Sequence, residues 1–456
     1  MSASREKKSR RTDAHPADSN RLYFAVGIGF VIVAIVVLLY NSTFLQRRSV
    51  AATIDGEEFT AADVSYYYAN MYSTYGSYAS YMGTDYIKEM ALESLKGTVA
   101  VSHTAQAEGY NIDEVLEQEE SAVLELLDSY AEDAGFSDRA DYLEAAFGSL
   151  MDEETFLRQI RLTTYANNFA ADHYNAIAAD TAALDAAYAA DPASYDSVSA
   201  RYVSITIPTT DGNAPTEEQI ATARDTAAAI EAAWQAGGDL EALAEQYDAL
   251  YYASDAIGNG SSPLPLWLFD ESRQVGDRAL IEGETRFYVA EFLGRTKNDY
   301  ACPTVRHILI TPETSTLEQT DPDYEADQLR LKEEARQQAE DLLAQWQEDG
   351  ASEEAFAQLA STYSQDSTAS NGGLYSDIYK GLTAASFEAW CFAPERQAGD
   401  TGIVETQFGY HVMYYVGESS TPYWQQQAAE DLYEAWYTDI TADITVEEGF
   451  GMKHII

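Results

Sequence analysis

At 456 residues the chain is long enough for about three domains, each with its own core. It carries 76 acidic and 27 basic residues, for a formal net charge of −49. A surface this acidic repels nucleic acid and anionic lipid headgroups, so nucleic-acid binding is excluded. We interpret the acidity as a solvated surface rather than a cation site, and we expect no metal and no cofactor.

The N-terminus combines a basic tail with an apolar run. Residues 1–21 hold six Lys and Arg against three acids, and residues 22–40 are uncharged and rich in Val, Ile, Leu and Phe. Nineteen such residues are just enough for a helix to cross the hydrocarbon core of a bilayer. Because basic flanks stay cytoplasmic, we expect a single-pass anchor in the cell membrane with the bulk of the chain outside. A cleaved signal peptide is the alternative, disfavoured by the length of the run.

Residues 50–197 are predicted to form a helical module. It opens with a hairpin, because two short strand-like runs flank the turn Asp55-Gly56. Apolar residues then recur at helical spacing, as in the segment 86–108 that Gly109 would terminate. This order resembles the N-terminal chaperone module of SurA- and PrsA-type foldases. Tyrosines crowd the first helix and its exit, where flat amphipathic rings suit the holding of unfolded chains, although most are expected to form the core.

Two stretches that follow, 198–298 and 300–418, form an internal repeat. Each has an opening strand-like run, a helical part, a Gly-Asp turn and a closing strand-like run. The second copy has a polar residue at three central positions, His307, Asp366 and His411. At those positions the first copy has Tyr202, Leu250 and Tyr288. The first copy is therefore interpreted as an inactive domain used for spacing or binding.

The second copy carries the most specific motif of the chain. His307 and His411 each lie in an apolar strand-like run, with an amphipathic helix and Asn371-Gly372-Gly373 between them. One histidine on an apolar strand is usually a satisfied core residue, but two at matching positions favour a site. These landmarks, in this order, resemble the parvulin family of peptidyl-prolyl cis/trans isomerases over about 115 residues. The predicted fold class is therefore α+β and multidomain: a transmembrane helix, a helical module and two tandem parvulin-like domains, the first degenerate.

The resemblance also assigns roles to residues. It implies that His307 and His411 bond each other and Thr406 beneath a proline-binding cup, with Asp366 near the substrate carbonyl. The residues implied to form or back the cup are Leu374, Leu382, Phe387, Phe408 and Met413. Thr383 departs from the Met or Leu that the family usually has near this point.

Other features of the sequence restrict the range of expected substrates and exclude other reaction types. The segment 311–327 holds six acids and no base, whereas phosphate-directed parvulins carry Lys and Arg there, so phosphorylated targets are not expected. The sequence has no metalloprotease, nucleophile-elbow or phosphate-loop motif. Cys302 and Cys391 are too few for a disulfide framework, and a bridge between them is left open.

The C-terminal segment 419–456 reads as a helix over 423–437 and a strand-like run over 440–446. The foldase resemblance implies that it packs back on the helical module. We expect a membrane-anchored, extracytoplasmic peptidyl-prolyl isomerase that acts on unfolded or partly folded exported polypeptides. A non-catalytic holdase that uses the same domains as clamps is the alternative, and a homodimer is left open.

Overall fold

The computed structural model describes residues 42–209 and 214–455. The predicted basic tail (1–21) and anchor (22–40) lie outside the described residues. The helices are α1 (Thr43–Arg47), α2 (Ala61–Tyr75), α3 (Ala79–Met82), α4 (Thr84–Ala107), α5 (Asp113–Asp133), α6 (Arg139–Phe147), α7 (Glu153–Ala179), α8 (Thr181–Ala190), α9 (Pro192–Tyr195), α10 (Glu217–Gln235), α11 (Leu240–Gln246), α12 (Pro263–Leu268), α13 (Tyr324–Glu348), α14 (Glu353–Tyr363), α15 (Ala385–Cys391) and α16 (Tyr423–Ala442). The strands are β1 (Val50–Ile54), β2 (Glu57–Thr60), β3 (Asp196–Thr206), β4 (Leu250–Ile257), β5 (Arg278–Glu282), β6 (Arg286–Lys297), β7 (Ala301–Ile310), β8 (Leu374–Tyr375), β9 (Thr401–Thr406), β10 (Gly409–Pro422) and β11 (Val446–Glu448). Within these ranges, none of the helices combines the length and the apolar character needed to cross a bilayer.

The described chain divides into two compact units, 42–176 with 433–455, and 177–432. The first unit is mainly helical, as predicted, and has one small sheet in the order β11-β1-β2. The hairpin of β1 and β2 turns at Asp55 and Gly56, both at positive φ (49° and 82°), which is the combination that a tight two-residue hairpin requires. Gly109, at φ 72°, follows α4 as a C-terminal cap.

The end of the chain differs in detail from the expectation. Helix α16 continues to Ala442, and only Val446–Glu448 is a strand, which pairs antiparallel with β1. The predicted strand over 440–446 is wrong over its first part because Trp436, Tyr437 and Ile440 share one helix face. That face packs on Val101 and Phe169 of the first unit.

Tyrosines of the first unit divide between core and surface. Tyr67 and Tyr68 are buried and Tyr66 packs against the same core. Five others on α2, α4 and the segment between them are exposed: Tyr72, Tyr75, Tyr78, Tyr81 and Tyr86. The unit therefore presents a tyrosine-rich surface that its own core does not use.

The second unit holds two four-stranded antiparallel sheets of the same topology, β4-β3-β6-β5 and β8-β7-β10-β9. The register of the central strand pairs is also the same. Tyr202 lies opposite Ala290 and Ser204 opposite Tyr288, whereas His307 lies opposite Met413 and Leu309 opposite His411. Tyr202 and Tyr288 thus occupy the register positions of the two histidines.

The copies differ where the third polar residue would stand. In the second copy a 3₁₀ turn, Ser367–Asn371, separates α14 from the edge strand β8. In the first copy α11 is followed almost at once by β4, which begins at Leu250. The described part of the first copy therefore contains no element that could hold a side chain as Asp366 is held.

The sheet of the second copy has a core on each face. Ile308, Ile310 and Val412 pack against α13 and α14 on one face. Val305 and Met413 pack against Phe387 and Cys391 of α15 on the other. His307 and His411 alternate with the first set along their strands, so both imidazoles lie on the α15 face. Cys302 and Cys391 are buried and not bonded to each other, and burial raises the pKa of each thiol to about 12.

Candidate active site

The two histidines of the second copy are in direct contact. Because β7 and β10 are antiparallel neighbours with Leu309 opposite His411, the imidazoles project side by side from one face. Their Nδ1 atoms are 3.1 Å apart and their rings are nearly parallel, with centroids 5.3 Å apart at 25°. The exposed fractions are 3% for His307 and 5% for His411, so neither ring is open to solvent.

Hydrogen bonds continue from both ends of this pair. On one side, Nε2 of His411 lies 2.9 Å from Oγ1 of Thr406, which also accepts the backbone N–H of Phe408 at 3.1 Å. On the other side, Nε2 of His307 lies 3.1 Å from Oγ1 of Thr368. Thr368 Oγ1 in turn donates to Oδ1 of Asp366 at 2.7 Å. One chain of contacts therefore joins a backbone amide to a carboxylate through two imidazoles.

Burial keeps both imidazoles neutral. Loss of solvent, and after it the neighbouring His307, lower the pKa of His411 to about 4 against an opposing effect of Asp366. Burial also lowers the pKa of His307, against the opposing effect of Asp366. Although partial burial raises the pKa of Asp366, hydrogen bonds from the backbone and hydroxyl of Thr368 hold it below its usual value. Near pH 7 the site therefore contains two neutral rings and one anion.

The anion gives the hydrogen-bond chain a single direction. An ionised carboxylate only accepts, so the Thr368 hydroxyl donates to Asp366 and accepts from Nε2–H of His307. Neutral His307 then has a bare Nδ1, which accepts from Nδ1–H of His411. His411 in turn accepts at Nε2 from the Thr406 hydroxyl. The two histidines are thereby held as opposite tautomers.

A tight backbone turn brings Asp366 and Thr368 to the sheet. Gly372 and Gly373 both have positive φ, 62° and 70°. The Gly373 carbonyl accepts the N–H of His307 at 2.9 Å, and a Cβ on Gly373 would collide with the backbone of His307. Only glycine allows this approach, which explains the Gly-Gly step in the motif.

Thr368 and Ser364 are site residues that the sequence reasoning missed. Ser364 accepts the backbone N–H groups of Leu309 and Asp366, at 3.1 and 3.3 Å, and so ties the loop to β7. Thr368 could have been found from its spacing, because Asp-x-Thr is a local capping pattern in which the Asp side chain accepts from the residue two positions on.

The apolar residues expected around the site occupy different positions. Phe387 meets both imidazoles edge-on, at centroid distances of 5.4 and 5.2 Å, and is 3% exposed. Met413 is fully buried behind this cluster, so it backs the site without reaching the surface. Phe408 lies on the turn between β9 and β10 and is 56% exposed, which leaves its ring free to contact a ligand.

The register corrects one of the predicted residues. Leu374 pairs with Arg306, which puts it on the sheet face opposite the imidazoles. Tyr375 pairs with Val305 and lies on the imidazole face, its ring centroid 6.2 Å from that of His307. Neighbouring residues of a strand point to opposite faces, so a prediction that is shifted by one residue selects the wrong face. This is why Leu374 was predicted in the cup instead of Tyr375.

Leu382 and Thr383 lie in the segment between β8 and α15, and the role of Leu382 in the cup stays a prediction. Leu382 is half-buried, and its N–H donates to the Tyr379 carbonyl at 3.2 Å in a short turn. Oγ1 of Thr383 is buried and has no hydrogen-bond partner among the described residues. Thr383, where the parvulin resemblance would place Met or Leu, therefore leaves a buried polar atom without a partner in this segment.

The first copy has tyrosines where the site would be. The ring of Tyr202 stacks on Tyr252 at 5.1 Å and meets Tyr288 edge-on at 6.0 Å. No carboxylate or imidazole joins them among the described residues of this sheet face. This arrangement offers aromatic surface and no polarised network.

Comparison with known families identifies the second copy. Residues 290–417 match the family described as the PPIC-type PPIASE domain, so this part of the chain is a PPIC-type peptidyl-prolyl isomerase domain. The resemblance to parvulins inferred from the motif is confirmed. A search of curated proteins found no match.

Solved structures similar to the chain include isomerases and foldases. PrsA from Bacillus subtilis is 14% identical, with 87% of this chain and 91% of that chain covered and a TM-score of 0.23. The foldase protein PrsA from Streptococcus pneumoniae is 13% identical, with coverages of 66% and 92% and a TM-score of 0.19. The peptidyl-prolyl isomerase ESS1 from Candida albicans is 24% identical, with coverages of 25% and 62% and a TM-score of 0.18.

Proposed function

We propose that the second copy isomerises X-Pro peptide bonds in unfolded exported polypeptides, as part of a membrane-anchored extracytoplasmic foldase. The observation that carries this proposal is the hydrogen-bonded series Thr406, His411, His307, Thr368 and Asp366, which lies beside the aromatic rings of Phe387 and Tyr375. A metal or covalent step is not part of the proposal.

The reaction needs little more than selective binding of a twisted amide. Rotation about the prolyl bond is opposed by a barrier of roughly 18–20 kcal/mol, which arises from resonance that puts negative charge on the carbonyl oxygen. The twisted amide loses this resonance and is less polar. Each tenfold acceleration requires about 1.4 kcal/mol of extra binding to the twisted form.

The site can supply such a preference. Asp366, whose side chain is 29% exposed, is the charged member of the network that a substrate can reach. Its negative charge near the carbonyl disfavours the planar, polarised amide relative to the twisted one. The two buried imidazoles cannot meet the substrate as acids or bases, so their part is to hold Thr368 and Asp366 in place. The aromatic rings would receive the proline ring and exclude water.

A protease-free tetrapeptide assay on the full chain tests the activity. We expect Asp366→Ala and His307→Ala to lower kcat/KM strongly. Tyr202→Ala, the matched change in the first copy, should leave kcat/KM unchanged. Wild-type rates equal to those in buffer would contradict the proposal.

Substrates are proposed to be unphosphorylated. The segment 311–327 is acidic, and Arg306, the base beside the site, is engaged by Glu353 at 2.9 Å and by the carbonyls of Asn371 and Gly372. A phosphate would meet repulsion and no available guanidinium. Peptides with phosphoserine before proline should react more slowly than their serine counterparts, and faster turnover of the phosphopeptide would refute this.

A holdase role is the second candidate, and the exposed tyrosines of the first unit favour it. Tyr72, Tyr75, Tyr78 and Tyr81 form part of an aromatic surface of the kind that binds other chains. Suppression of client aggregation by the His307→Ala variant would show holding without isomerisation. Replacement of Tyr75, Tyr78 and Tyr81 by serine should then abolish that suppression.

Membrane anchoring rests on the sequence of residues 22–40. The acidic body is compatible with an extracytoplasmic location, since it would be repelled by anionic headgroups rather than lie on them. Protease added outside intact cells should digest the chain after residue 48 and spare the N-terminal tail. Protection of the whole chain would contradict this topology.

A further inference from the structure

A cleft of about 620 Å³ lies between the two copies of the repeat, within the second unit. The first copy contributes the segment between β4 and α12, which contains Gly258, Asn259 and Gly260. The second copy contributes Lys380 and Gly381 from the segment between β8 and α15. These are equivalent segments of the two copies, because each leads into the helix that covers the imidazole face or its counterpart.

The cleft has no uncompensated charge among its lining residues. Its acid, Asp196, accepts from Arg295 Nε at 2.7 Å and from the Tyr188 hydroxyl at 2.9 Å. Its base, Lys380, pairs with Asp255 at 3.4 Å. In a chain with a net charge of −49, a neutral cleft is suited to an uncharged ligand rather than to a cation.

The remaining lining matches the chemistry of a peptide backbone. Asn298, 5% exposed, accepts from the Ser197 hydroxyl at 2.6 Å and donates to Oε1 of Gln427 at 3.4 Å, which positions the Gln427 side-chain amide in the cleft lining. Tyr379 stacks on Tyr423 at 4.9 Å and 7°, which forms a flat aromatic wall. Leu266, 59% exposed, adds an apolar contact on the side of the first copy.

The cleft and the active site share a short stretch of chain. Gly381 lines the cleft, and Ala384, three residues later, packs in the cluster of Phe387 and Met413. Consecutive Cα atoms are about 3.8 Å apart, so these two points are separated by at most about 11 Å. An extended polypeptide advances about 3.3 Å per residue and would span that distance with three or four residues.

We propose that this cleft binds the uncharged, extended segment of client polypeptide that lies next to the proline held in the second copy. This inference deepens the proposed function and rests on it for the place of the proline. The first copy then contributes one wall of a substrate site that the second copy alone would lack. Long substrates should consequently bind better than tetrapeptides.

Gly258 allows a direct test. A Cβ at Gly258 would meet no atom within 4 Å, and its backbone is not at positive φ, so a tryptophan can enter the cleft without local strain. Gly417 has the same two properties on β10, away from the cleft lining, and Gly417→Trp is the matched control. Leu266→Ser removes an apolar contact and adds no bulk, which guards against misfolding of the larger variant.

The assay compares a tetrapeptide with a twenty-residue uncharged peptide around one Ala-Pro bond, using the full chain. With Gly258→Trp we expect KM for the long peptide to rise about tenfold at unchanged kcat, the loss expected from one or two good contacts. The tetrapeptide constants should not change, and Gly417→Trp should behave as wild type. An unchanged KM for the long peptide in both Gly258→Trp and Leu266→Ser would overturn the inference.

Binding measured separately keeps the two proposals distinguishable. Fluorescence anisotropy with the labelled long peptide gives Kd without turnover. If wild type turns over neither peptide, the proposed isomerase function fails. The Kd of the long peptide still tests whether the cleft binds it. A Kd about tenfold weaker in Gly258→Trp supports the cleft, and an equal Kd overturns it.

Discussion

Thr368→Val separates the hydrogen-bond network from the shape of the site. Valine keeps the volume of threonine and removes the one hydroxyl that links His307 to Asp366. The Nε2–H of His307 would be left with the carboxylate at 3.5 Å, which is too long for a good hydrogen bond. An unsatisfied buried donor costs about 1–3 kcal/mol. If this cost falls on the transition state, kcat/KM drops by roughly fivefold to more than a hundredfold.

The tautomers provide a second measurement on the same variant. In wild type, ¹⁵N NMR should show His307 protonated at Nε2 and His411 protonated at Nδ1, as the direction of the network requires. In Thr368→Val, His307 loses its acceptor and the Nδ1–H form becomes competitive. Isomerisation within twofold of wild type, or the same tautomer for both histidines in wild type, would refute the reasoning.

Four further predictions follow from the same geometry. The activity should stay flat from pH 8 to about pH 5 and fall toward pH 4, because burial lowers the pKa of His411 to about 4; a break near pH 6.5 would contradict this. The unfolded histidine titrates near its ordinary value and binds protons that the folded one does not, so thermal melts should show this domain losing stability as pH falls through about 6.5 to 4. Tyr375→Ala should lower kcat/KM about tenfold while Leu374→Ala stays near wild type, since only Tyr375 lies on the imidazole face; the reverse order would show that the register is wrong. Gly373→Ala should destabilise the domain by about 3 kcal/mol or more, from positive φ and contact with the His307 backbone, in calorimetry against Gly417→Ala as control; equal melting of the two variants would refute the close approach.

The sequence was sufficient to predict the polar centre of the site but not its surroundings. His307 and His411 could be placed together because each lies in an apolar strand, and neighbouring strands of one sheet bring such residues into contact. Thr368 was missed because the Asp-x-Thr spacing predicts only its local contact with Asp366, and nothing in the sequence shows that the same hydroxyl also reaches His307. Leu374 was misplaced because β8 has only two residues, and periodicity cannot fix the face of so short a strand.

Similar limits apply to the fold. The hairpin at Asp55-Gly56 and the cap at Gly109 follow from local chemistry and could be predicted. The extent of α16 could not, because Ile440 to Ile444 satisfy both a strand-like alternation and a helical face. Packing of Trp436 and Ile440 on the first unit decides between them, and that contact is set by residues more than 250 positions away.

The 3₁₀ turn Ser367–Asn371 suggests how an isomerase could be gained or lost within this fold. The central strands keep the same register whether tyrosines or histidines stand at these positions. Replacing Tyr202 and Tyr288 by histidine would therefore give two uncharged rings with no carboxylate to orient them. What orients the pair is a five-residue insertion before an edge strand, at a place where chain length can vary without disturbing the sheet. Restoring chemistry to the first copy would therefore require lengthening a loop as well as replacing two side chains.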